Sequence, residues 1–208
     1  MKIHDYKGFP NPARVRIALA EKGLLDQVEF VHVDVPGGEH RRPAFLAKNP
    51  SGAVPVLELE DGTMISECTA ITEYLDNQDG DPVLTGRTAK ERAVVHMMQR
   101  RIEAGLLDVA AAYFHHATPG LGPDIETYQN QEWGEKQRER AVATMRALDG
   151  ELATRPYMAG EAFTMADISA LAGLAYADFA AIGIPAELIH LAAWRARVSA
   201  RPSVAAAA

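Results

Sequence analysis

The 208-residue sequence is 48% hydrophobic and 24% charged with a formal net charge of −7, an ordinary balance for one or two folded domains. The negative charge speaks against nucleic acid or an anionic membrane as the main partner, and no apolar run reaches the roughly 18 residues a membrane helix needs. One cysteine rules out an internal disulfide or a cysteine-rich metal site. The opening MKIHDYKGFPNPARVR has no signal-peptide core, so a reducing cytoplasm is the expected location.

Residues 1–6 read as a first strand. Asn11-Pro12-Ala13 then opens a helix, with asparagine as cap and proline in the first turn; Arg14 to Lys22 continues it and Gly23 ends it. Val28–Val35 alternates as a second strand. A short helix covers Pro43–Lys48 and must stop before Pro50, because the residue ahead of a proline is pushed out of the α region. Val54–Glu60 and Thr63–Ser66 are short strands joined by Asp61-Gly62, a strong hairpin signal. Thr69–Leu75 is helical. The order β-α-β-α-β-β-α calls for a parallel pair with a right-handed crossover and an antiparallel edge.

Asn77–Thr88, rich in Asp, Gly and Pro, reads as a linker, and no strand is expected beyond it. Helices are expected over Lys90–His116, Asp124–Leu152, Met165–Ala181 and Ala186–Ala200. Thr164-Met165-Ala166-Asp167 is a capping motif flanked by the apolar pair Phe163 and Ile168. The run Glu135–Arg140 reads as a solvated helix face with i,i+4 pairs, and the Ala205–Ala208 tail as frayed. The expected domains are 1–79, a linker 80–89, and 90–208.

The whole pattern resembles the cytosolic glutathione transferase superfamily: an α/β thioredoxin-like N-terminal domain plus an all-α C-terminal domain. Four runs carry the resemblance: Ser51-Gly52-Ala53-Val54-Pro55-Val56-Leu57; Glu67-Cys68-Thr69-Ala70-Ile71; Phe163-Thr164-Met165-Ala166-Asp167; and Trp194 to Arg201-Pro202. The tract from Tyr113 to Pro123 is further similar to an atypical yeast and bacterial class that lacks the usual catalytic Tyr, Ser or Cys. The resemblance implies glutathione as co-substrate with no metal, a small hydrophobic electrophile as second substrate, a role in detoxification and a homodimer.

By this resemblance the Val54-Pro55 bond is cis, and the valine backbone binds the cysteinyl unit of glutathione as an added strand. Glu67 faces the ligand ammonium. Cys68 stands where the family usually has serine, and the resemblance implies that its backbone N–H and its side chain take the γ-glutamyl carboxylate at a helix N-terminus, although a thiol is a poorer donor than a hydroxyl. His40 is the counterpart of a basic contact to the glycyl carboxylate, or else part of a solvated basic loop.

Lowering a thiol pKa from about 8.5 by two units takes about 2.7 kcal/mol, whereas a helix N-terminus supplies about 0.3–1 kcal/mol, and up to about 2 when partly buried. Another donor or an ordered water must supply the rest, yet no hydroxyl lies between Lys7 and Arg14. Tyr6 is the nearest phenol, although its spacing also suits a core aromatic. In the atypical class a water held by a serine and a histidine handles the thiol. His115 is the candidate histidine and His116 the weaker one, while Ala111 one turn earlier leaves the hydroxyl partner missing. Tyr113, Phe114 and residues near Tyr176 are candidates for the electrophile pocket. His115-His116 with Glu126 forms no convincing metal set, and no phosphate loop occurs. Two rival readings stay open: a non-catalytic binding scaffold of the same fold, and a glutathione-dependent thiol oxidoreductase or peroxidase acting through Cys68.

Overall fold

A row of apolar side chains across four strands organises the first part of the chain. Strand β1 (Lys2–Asp5) pairs in parallel with β2 (Glu29–His32) and antiparallel with β3 (Val56–Glu58), which pairs antiparallel with β4 (Met64–Ile65), for the order β2-β1-β3-β4. The register aligns Phe30 with Ile3, Ile3 with Leu57 and Leu57 with Ile65, and cross-strand neighbours share a face. Helices α1 (Pro10–Glu21) and α3 (Cys68–Asn77) cover this row, adding Val15, Leu19, Cys68, Ile71 and Leu75 to one buried cluster. Burial of each large aliphatic contributes about 1.5–3 kcal/mol. The structure, a computed structural model, describes residues 1–207. It divides into Met1–Leu84 with the segment from Pro202 onward, and Thr85–Arg201.

Helix α1 starts two residues earlier than expected. Phe9, extended at φ −86° and ψ 147°, is the cap residue, with no side-chain cap bond, and its carbonyl accepts from the Ala13 N–H at 3.0 Å. Pro10 presets the helical φ and needs no N–H partner, so Asn11 is not required as a cap; its amide oxygen faces Arg14 instead, at 3.4 Å. Strand β2 is shorter than the alternation suggested, although the Val33 N–H still donates to the Asp5 carbonyl at 2.8 Å. A single 3-10 turn, Glu39–Arg41, carries His40 ahead of the short helix α2 (Pro43–Leu46). The Asp61-Gly62 hairpin forms as expected: Gly62 sits at φ 85°, its N–H donates to the Leu59 carbonyl at 3.1 Å, and the Asp61 carboxylate accepts from the Thr63 N–H at 2.9 Å.

The chain end does not fray as expected over its described part. Pro202–Ala207 is a helix, α9 in chain order, that packs on α1. The Ser203 hydroxyl donates to the Glu21 carboxylate, and Ala207 is buried.

The second unit is helical: α4 (Ala89–Ile102), α5 (Asp108–Ala117), α6 (Gln131–Leu152), α7 (Met165–Phe179) and α8 (Ile189–Ser199). The expected single helix from Lys90 to His116 is interrupted by a π turn at Glu103–Leu107. Close packing accompanies it, since a Cβ on Gly105 would lie 2.8 Å from the Thr144 hydroxyl and one on Gly173 2.7 Å from Leu106. The second correction concerns Asp124–Asn130, which precede α6 as a loop. The Gln129 amide donates to the carbonyls of His115 (2.8 Å) and Thr118 (2.7 Å), and the Asn130 side chain caps α6 by accepting from the Trp133 N–H at 3.0 Å. The charged face of α6 forms its ion pairs Lys136–Glu139 and Glu135–Arg138 at i,i+3.

The Thr164–Asp167 motif is a reciprocal capping box at the start of α7. The fully buried Asp167 carboxylate accepts from the N–H groups of Thr164 and Met158 and from the Trp194 indole, each at 3.0 Å. Burial pushes the Asp167 pKa up, and the same donors pull it back. An Asp167→Ala change strands several buried donors at once and should lower stability by on the order of 3 kcal/mol, read as a shift of the urea midpoint at unchanged slope. A shift under a third of that would show the box to be dispensable.

Candidate functional site

The loop leading into β3 is held by Asn49, which is 3% exposed. Its amide donates to the Ala53 carbonyl at 2.8 Å and its oxygen accepts from the Ser51 N–H (3.2 Å) and hydroxyl (2.9 Å). Gly52, at φ 61°, leaves little room for a side chain: a Cβ would lie 3.1 Å from both the Arg41 guanidinium and the His40 carbonyl. This close approach joins the Asn49–Ala53 loop to the turn that carries His40. The Val54–Pro55 bond that follows is cis, with Val54 half-buried and Pro55 buried.

Strand β4 ends in a second unusual backbone. Glu67 is a non-glycine residue at φ 69° and ψ 119°, a conformation that costs about 1–3 kcal/mol and clusters at functional sites. It stands at the N-terminus of α3 with its side chain exposed and with no side-chain cap bond among the described residues. Such a terminus favours an anion. Cys68 turns inward: its thiol donates to the Asn11 carbonyl at 3.4 Å and it is 7% exposed within the apolar cluster. The thiol is therefore not the outward-facing side chain that the resemblance implies for this position. The same bond ties the start of α3 to the start of α1.

His40 is 4% exposed, and its Nδ1 is a buried polar atom without a partner among the described residues. Burial, and then the neighbouring Arg41 charge, lower its pKa. This is no solvated basic loop residue; an unsatisfied buried ring nitrogen is suited to an incoming polar group. Tyr6 lies with its ring centroid 4.6 Å from Phe9 and 5.4 Å from His32, in the aromatic packing that its spacing also suggested. The N-terminus of α1 has less to offer than helix geometry promises. Of its first three residues, Pro10 and Pro12 carry no N–H, leaving Asn11 as the one donor there.

His115 and His116 occupy the last turn of α5. The His115 Nδ1 lies 2.7 Å from the Glu126 carboxylate, which also accepts from the Leu121 N–H at 2.8 Å. The His116 Nδ1 instead accepts from the Asn130 N–H at 3.2 Å, and its ring meets Trp133 edge-on at 4.8 Å. Phe114 is buried and stands edge-on to Phe179 at 5.3 Å. Among the described residues no group of three or more His, Cys, Asp or Glu side chains is placed to hold a metal.

The roles of two residues of this arrangement escaped sequence reasoning, although Glu126 was met there in the rejected metal set. Asn49 was legible in principle, since Asn-Pro-Ser-Gly is an Asx-turn signature. Glu126 was not, because its link to His115 depends on how the loop after α5 folds back.

Comparison with known proteins decides the family. A family model of the glutathione S-transferase N-terminal domain matches residues 10–78, and one of the C-terminal domain matches residues 131–197. Glutathione S-transferase 2 of Saccharomyces cerevisiae is 56% identical over 204 residues, covering 98% of this chain and 88% of that protein. The chain belongs to the glutathione S-transferase family. That is the family and the class of enzyme expected from the sequence. The crystal structure of Gtt2 from the same yeast matches with a TM-score of 0.97, covering 99% of each chain. A glutathione S-transferase domain-containing protein of Marinobacter aquaeolei matches at 0.96 and 61% identity, over 98% of this chain and 100% of that one. The thioredoxin-like sheet followed by a helical domain is thus the family architecture.

The burial of Cys68 has a direct consequence. Its thiol should react with an aromatic disulfide reagent at a small fraction of the rate seen in denaturant, because access requires local opening. Rapid native-state reaction, or a stable mixed disulfide with glutathione, would restore the oxidoreductase reading.

Proposed function

We propose that this protein is a glutathione transferase that binds glutathione on its first domain, residues 1–79, and conjugates it to a small hydrophobic electrophile. The observation that carries the proposal is the pairing of the cis Val54–Pro55 turn with the strained Glu67 at the N-terminus of α3. Val54 offers its backbone to the cysteinyl unit as an added strand. The backbone at Cys68 and the dipole of α3 receive the γ-glutamyl carboxylate, and Glu67 faces the ammonium. His40 takes the glycyl carboxylate through its unpaired Nδ1. The thiol proton leaves through a water that His115 orients, or the thiolate is held by the helix dipole, and the thiolate attacks the electrophile, whose leaving group departs with its electron pair. Tyr6 is the weaker candidate for the thiol, because its ring packs on Phe9 and His32. No metal is called for. Family precedent supports a homodimer and a role in detoxification, and the composition supports a cytoplasmic setting without nucleic-acid or membrane partners.

One observation favours the scaffold reading: α1 presents a single N–H in its first three positions, and no hydroxyl stands between Lys7 and Arg14. Retention on immobilised glutathione together with turnover of an aryl halide decides for the transferase. Retention without turnover on any of several electrophiles decides for the scaffold.

The proposed role of His40 has a signed pH dependence. Its pKa is lowered in the ligand-free protein, and a bound carboxylate favours the imidazolium, so binding raises it. Affinity for glutathione is then greatest below the ligand-free pKa and falls as pH rises through the pKa of the complex. Calorimetric titrations between about pH 5 and 8 should show this decline in wild type and a flatter profile in His40→Gln. Identical profiles would remove His40 from the site.

A further inference from the structure

The two adjacent histidines at the end of α5 are held in opposite tautomers. The Nδ1 of His116 accepts a backbone N–H from Asn130, so in the neutral ring the proton is on Nε2. The Nδ1 of His115 faces a carboxylate oxygen of Glu126 at 2.7 Å, and that same oxygen already accepts the Leu121 N–H. A carboxylate anion can only accept, so in the neutral ring of His115 the proton is on Nδ1 and Nε2 keeps its lone pair. His115 is therefore the member of the pair that can take a proton at Nε2.

The support behind Glu126 is specific. Its side chain is 10% exposed against 37% for His115. Gly120, at φ 57°, leaves the space that the carboxylate fills, for a Cβ there would lie 2.3 Å from the Glu126 oxygen. The Thr118 hydroxyl donates to the Phe114 carbonyl at 2.6 Å and accepts from the Gly120 N–H at 3.1 Å, while Gln129 bridges the carbonyls of His115 and Thr118. The loop after α5 is thus built around a carboxylate aimed at one imidazole nitrogen. That is the way a carboxylate fixes the tautomer of a proton-accepting or metal-bound histidine.

We propose that Glu126 is a positioning residue for His115, fixing its ring and its Nδ1–H tautomer so that Nε2 is left free to accept a proton. The inference rests on the reading of His115 as the group that handles the thiol. It also accounts for the missing hydroxyl at Ala111: a carboxylate from the following loop, instead of a second group on the helix, orients the imidazole.

The test uses the full-length protein with glutathione and an aryl halide. Glu126→Gln keeps an oxygen for the Leu121 N–H but offers no anion to Nδ1. The expected result is a fall in kcat of about 10- to 100-fold with the KM for glutathione little changed, and no further fall when Glu126→Gln is added to His115→Ala. In parallel, 15N NMR of the imidazoles should show Nδ1–H for His115 in wild type and a mixture with Nε2–H in Glu126→Gln, while His116 stays Nε2–H in both. An unaltered kcat in His115→Ala overturns the underlying reading of His115. A reduced kcat in His115→Ala, with Glu126→Gln at wild-type rate or with an unchanged His115 tautomer, overturns the role of Glu126 alone. Equal further losses on top of His115→Ala would show Glu126 to be merely structural.

Discussion

The constraint on which the candidate site depends is the strand pairing that gathers four chain segments at one end of the sheet. Strand β2 runs parallel to β1, so His32 and the turn carrying His40 leave the sheet at the end where β1 delivers Tyr6 and α1. Strand β3 runs antiparallel with Val56 opposite His4, which brings its start, and the cis Val54–Pro55 turn, to that same end. Strand β4 reverses again, with Ile65 opposite Leu57, so Glu67 and the start of α3 arrive there too. The apolar row Phe30–Ile3–Leu57–Ile65 enforces this register, because a one-residue slip would turn every one of these side chains away from α1 and α3.

Within that frame the site is made largely of backbone. Asn49 spends its whole amide on the loop before β3, and Gly52 allows Arg41 and His40 to approach it. Glu67 is held at positive φ where α3 begins. A serine in place of Cys68 is not needed for such a site, since the cysteine thiol is directed to the Asn11 carbonyl and helps join two helices. On the proposed reading, binding and activation are separate problems. The first is assigned to chain geometry and the second to other groups, because the two prolines of α1 remove most of the N–H groups that its terminus would otherwise present.

What could be read from the sequence follows the same division. Periodicity, the Asp61-Gly62 turn and the Thr164–Asp167 box are local signals, and each element they announced is present. The cis bond was inferred from the context of Pro55 and could not follow from proline statistics. Local reading misled where two local rules competed. Asn11 is a good cap, but Pro10 already starts the helix. Asp124–Asn130 reads as helical, but Glu126 and Gln129 turn back to the end of α5. The π turn at Glu103–Leu107 accompanies contacts of Gly105 and Gly173 with residues far along the chain, which no local pattern encodes.

The central claim is that glutathione is held by the backbone around Val54 and at the start of α3. Its most direct test is a titration of the 15N-labelled protein with glutathione, followed through the backbone amides. The amides of Val54, Cys68 and Thr69 should shift together and saturate at one common Kd. Saturable binding that leaves these three unmoved would contradict the account.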